Sequence, residues 1–75
     1  MQGPAIYRIV VGGKIEGHYA DRLEGMNITQ RIAEDGGVES VLVGRLADQS
    51  ALSGVLNTLY ELHRPVRSVD CLENR

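Results

Sequence analysis

The chain has 75 residues, one cysteine, no Phe or Trp, and a formal net charge of −2 from 8 basic and 10 acidic side chains. Charges this balanced and scattered leave no electrostatic footprint for nucleic acid or an anionic membrane, and no apolar run reaches the roughly 20 residues of a membrane span. A single cysteine, Cys71, excludes an internal disulfide, and without a CxxC pair or a Cys/His quartet no structural zinc site is expected.

Residues 5–11, opened by Pro4, alternate as a strand, with Tyr7, Ile9 and Val11 on one face and Ile6, Arg8 and Val10 on the other. Apolar residues on both faces predict a central strand. Gly12-Gly13 then permits a bend or bulge. Residues 14–25 stand between helix and loop. Ile15, Tyr19 and Leu23 recur every fourth position, which predicts a short helix packed by Tyr19 and Leu23 and capped by Gly25, weakened at its start by Gly17 and His18. Met26, Ile28 and Ile32 are in phase and predict a second strand over residues 26–33. Asp35-Gly36-Gly37 is a hairpin turn, since glycine reaches the positive φ angles such turns need.

Residues 38–46 return as the third strand. Val38, Leu42 and Leu46 share a face with the small Ser40 and Gly44, while Val41 and Val43 share the other with Glu39 and Arg45. Leu42 and Leu46 are expected to meet the helix that follows. That helix spans residues 48–64: Leu52, Val55, Leu56, Leu59 and Leu62 form one stripe, Asp48 supplies an N-cap oxygen, and Pro65 forbids continuation. Tyr60 stands at the margin of the stripe, with Arg64 one turn on. Gly54, on the opposite face, costs about 1 kcal/mol against alanine. Residues 66–72 read as a last strand. Val66 and Val69 are three apart, which predicts a bulge or an early end, and Glu73-Asn74-Arg75 is expected to fray.

The order strand, short helix, strand, strand, helix, strand predicts an α+β fold. It is the βαββαβ order of ferredoxin-like domains with a stunted first helix, one main helix packing on a mostly antiparallel four-stranded sheet. A meander in which residues 14–25 are merely a loop is the alternative. Residues 1–75 are read as a single domain. Met1-Gln2-Gly3-Pro4 shows no secretory pattern, and a lone thiol fits a reducing compartment, so a cytoplasmic location is expected. A domain this small gains little from its own core, so with disulfide and metal set aside, self-association is the expected support.

Chemistry is sparsely signalled. His63 is placed on the apolar side of the helix in its last turn, where a capping or half-buried histidine is preferred over a catalytic base. A metal site from His18, Asp21 and His63 is not demanded by their spacing. Cys71 is expected as a small buried thiol, and Tyr7 as a core or interface residue rather than a base-stacking platform. Gly12-Gly13-Lys14 lacks the spacing and the Ser or Thr of a phosphate loop, and the Asp35 turn lacks the ligands of a calcium loop. No catalytic, cofactor-binding or metal residue is assigned, and no cofactor.

The run Asp48-Gln49-Ser50-Ala51-Leu52-Ser53-Gly54-Val55-Leu56, after Val43-Gly44, resembles a group of short bacterial and archaeal proteins that share a D-Q-[AS]-A-L-x-G-x-L segment. Tyr7 to Gly12 and Gly25 to Ile28 match the same group, so the likeness covers most of the chain. It implies a small α+β protein and carries over no functional residue. The expected function is therefore a non-enzymatic interaction or regulatory module acting as a homodimer, an adaptor or regulator for another protein. The alternative is a small-ligand sensor with its site at a dimer interface. An enzyme using His63 or His18 ranks below both, and nucleic-acid binding lowest.

Overall fold

The computed structural model describes residues 3–74. Four strands, β1 (Ala5–Gly12), β2 (Asn27–Ile32), β3 (Val38–Leu46) and β4 (Val66–Asn74), form one antiparallel sheet in the order β2-β3-β1-β4. The main helix α1 (Gln49–Glu61) joins β3 to β4, and a 3-10 helix (Gly17–Leu23) lies between β1 and β2. β1 is central, as its two apolar faces predict. It pairs with β3 on one side and β4 on the other.

The core fills one face of the sheet. Ala5, Tyr7, Ile9 and Val11 of β1 and Leu42 and Leu46 of β3 meet Leu52, Val55 and Leu59 of α1, joined by Ile15, Leu23 and Met26. The expected inward face of β3 is thus the observed one. Its small residues have uses there. Buried Ser40 accepts a hydrogen bond from Ile15 N at 2.9 Å and donates one to Gly13 O at 2.8 Å, which latches the loop after β1. At Gly44 a Cβ would lie 3.0–3.2 Å from Met26, so the missing side chain makes room for that methionine.

Three expectations need correction. Residues 14–25 give only the Gly17–Leu23 turn, 3-10 rather than α, and residues 14–16 have no regular structure. The segment cannot lengthen, because Glu24 (φ 58°) and Gly25 (φ 69°) both turn left-handed and Gly25 N closes back on Ala20 O. Leu23 is nevertheless buried, and Tyr19 packs at the core margin.

α1 stops at Glu61, short of Pro65. His63 adopts φ 58° and donates to Tyr60 O, while Arg64 N reaches Leu59 O, the paired bonds of a Schellman cap. At the other end Asp48 caps as expected, accepting from Ala51 N at 2.8 Å.

β4 runs through Asn74 instead of fraying after Leu72, and Arg75 lies outside the described residues. The predicted bulge is there twice. The register with β1 shifts so that Arg67 and Leu72 are the extra residues. α1 packs toward the 3-10 helix, joined by Arg22 and Glu61 at 3.1 Å, and the 3-10 helix sits beside β2. Among the described residues no helix covers the far side of the sheet. Val66 and Val69 of β4 share the helix-side face with Val11 and Ile9, yet stay 41% and 40% exposed.

Candidate functional site

The open face of the sheet carries a three-residue cluster of charges. Arg31 of β2 and Glu39 of β3 are direct cross-strand partners, a register imposed by the hairpin between them. Gly36 turns that hairpin at φ 88°, and Asp35 Oδ1 accepts from Gly37 N at 2.9 Å. Arg31 Nε donates to Glu39 Oε1 at 2.6 Å. On its other side Glu39 pairs with Gly12 of β1, which offers no side chain.

Arg67, thrown out by the first β4 bulge, reaches across that gap. Its Nη2 lies 3.1 Å from where a Gly12 Cβ would stand, and its Nη1 donates to Glu39 Oε2 at 3.1 Å. One carboxylate, its side chain only 10% exposed, thus clasps two guanidiniums drawn from opposite edges of the sheet. The hydrogen bond from Arg31 holds the Glu39 carboxyl below the ordinary glutamate range. Partial desolvation opposes it, and the charges of Arg31 and Arg67 add to it.

Beside the clasp lies an open cleft of about 390 Å³, floored by Val10 and Ala33 and rimmed by Glu34 and Asp35 of the hairpin loop. A smaller hollow of about 180 Å³ sits between the loop after β1 and the end of α1, lined by Tyr19, Leu62 and Arg64.

The residues weighed from the sequence do not converge. His18 is exposed and lies against the Tyr19 ring, centroids 4.3 Å apart. His63 is exposed too, beyond the end of α1 rather than on its apolar side, because its left-handed backbone turns it off the stripe. Cys71 is exposed on β4, not buried: α1 does not extend over that strand. Tyr7 belongs to the core. Among the described residues no three His, Cys, Asp or Glu side chains gather as metal ligands would, and no helix is long and apolar enough to cross a membrane.

The sequence pattern does not announce the clasp. The turn at residues 35–37 implies that Arg31 opposes Glu39, but the reach of Arg67 depends on where the bulge falls.

A family model described as Domain of unknown function (DUF8691) matches residues 6–70. The chain belongs to this family. The matched stretch takes in Arg31, Glu39 and Arg67 and everything from β1 into β4. Searches of curated proteins and of solved structures return no match.

Proposed function

We propose that this DUF8691 chain is a non-enzymatic interaction or regulatory module that works as a cytoplasmic homodimer. The observation that carries the reading is the uncovered apolar border of β4. Val66, Val69 and Leu72 are 41%, 40% and 47% exposed along an edge strand. The flank of α1 turned away from the 3-10 helix adds half-buried Leu56 and Tyr60, the latter 80% exposed. Edge strands are usually blunted by charge, proline or bulges, and β4, with Arg67, Asp70, Glu73 and two bulges, still keeps this apolar row exposed.

A second copy is the occupant that fits. Antiparallel pairing of two β4 edges about Val69 sets Val66 of one copy opposite Leu72 of the other. A standard interface takes roughly 800 Å² from each partner, a modest share of the 4672 Å² that this chain exposes. A small core gives the domain reason to make that contact.

The fold is read as ferredoxin-like. β1 and β2 each run antiparallel to β3, which lies between them, and the 3-10 helix occupies the first-helix position. A second function, a small-ligand sensor, is favoured by the cleft, which Arg67 of β4 also lines.

Light scattering on the purified chain at on the order of tens of micromolar tests the first reading. It is expected to give twice the 8.2 kDa of one copy, and Val69→Lys to give a folded monomer by circular dichroism. A wild-type chain that stays strictly monomeric overturns it.

A further inference from the structure

The cleft beside the clasp has a charge pattern that no single ion satisfies. Among the described residues, Arg31 uses only Nε and Arg67 only Nη1 in hydrogen bonds, so each guanidinium keeps further N–H donors. Two positive charges share the one negative charge of Glu39, which leaves a surplus of one on that wall. The lining of the cleft also has an acidic part, Glu34 and Asp35 of the hairpin loop. Glu34 has no hydrogen bond or ion pair to a described residue, and Asp35 uses only Oδ1, in its own turn.

A simple anion drawn to the guanidiniums meets two carboxylates at the rim. A simple cation drawn to the rim meets the guanidiniums. A ligand carrying both charges a few ångströms apart answers both walls, and guanidiniums suit a planar carboxylate best. The volume, about 390 Å³, lies in the range of roughly 300–1,000 Å³ typical of small-molecule pockets. Val10 and Ala33 offer only a small apolar floor.

We propose that this cleft binds a free α-amino acid with a small aliphatic side chain. Its carboxylate lies against Arg31 and Arg67, its ammonium against Glu34 and Asp35, and its side chain over Val10 and Ala33. The site is complete within one chain, so it stands whether or not the dimer forms.

Calorimetric titration of the full chain with the standard L-amino acids, L-valine foremost, tests it, alongside N-acetyl-L-valine, L-valinamide and inorganic phosphate. Saturable L-valine binding is expected, weakened by about tenfold or more in each blocked form, since each lacks one charge-assisted contact. Glu34→Gln, which removes no hydrogen bond of the clasp and no part of the core, is expected to weaken L-valine to a similar degree at unchanged melting temperature. No saturable binding of any standard amino acid up to about 10 mM overturns the proposal, as does phosphate or N-acetyl-L-valine binding as tightly as L-valine.

Discussion

His63 holds a backbone angle that L side chains adopt at a cost, and it does so to let Arg64 close the end of α1. Glycine meets that angle without a Cβ penalty, so His63→Gly is expected to raise unfolding stability by up to about 1 kcal/mol, read by chemical denaturation, whereas His63→Ala keeps the strain and gains nothing. Two glycines of similar outward look should answer oppositely. Nothing lies within 4 Å of a Cβ added at Gly54, so Gly54→Ala is expected to gain about 1 kcal/mol from helix propensity. A Cβ at Gly44 meets the Met26 backbone at 3.1 Å, so Gly44→Ala is expected to cost about 1–3 kcal/mol by overpacking. A melting temperature that moves the same way for both variants would sink this contrast. A glycine on the outer face of a helix either carries a tolerated cost or makes room for another backbone. The empty surroundings favour tolerated cost within one chain.

At the level of elements, the clasp ties three strands through one acid. Because the folded Glu39 pKa lies below its unfolded value, its contribution is fully present above the ordinary glutamate range and fades as pH falls through the lowered folded value. Melting temperature followed from neutral pH to about pH 3 should therefore drop less steeply for Glu39→Gln than for wild type, with the variant already less stable at neutral pH. Parallel curves would remove Glu39 from the account of acid sensitivity. Local patterns foretold much of this architecture. The Leu52–Leu62 stripe, the Asp48 cap and the glycine turn at residues 36–37 are all set by neighbours within a few residues, whereas alternation along β3 gives two faces without fixing that Leu42 and Leu46 turn inward. What they could not foretell depends on distant chain. The length of the 3-10 helix follows from two left-handed residues, one of them a glutamate that no pattern marks. Exposure of Cys71 and Val69 follows from where α1 lies on the sheet, which alternation along β4 does not encode. The clasp needs a bulge placed to the residue.

For the whole molecule, the uncovered border of β4 makes assembly and stability one question. If two copies share that border, dilution weakens both together, and the melting temperature should rise with chain concentration over about two decades. Tyr60→Ser and Val69→Lys should each flatten that dependence, because both residues line the border rather than the core. A flat wild-type profile would speak for a self-sufficient single copy.

β1 lies between β3 and β4, and Ala5 pairs with both Leu46 and Asn74. The strand that leaves the ribosome first among these elements is therefore flanked on one side by the strand that leaves last. Until residues 66–74 emerge, one edge of the most hydrophobic strand stays open to whatever passes, and closing it means joining segments nearly the full chain apart. A nascent chain halted before β4 would be the form most in need of a chaperone's shelter.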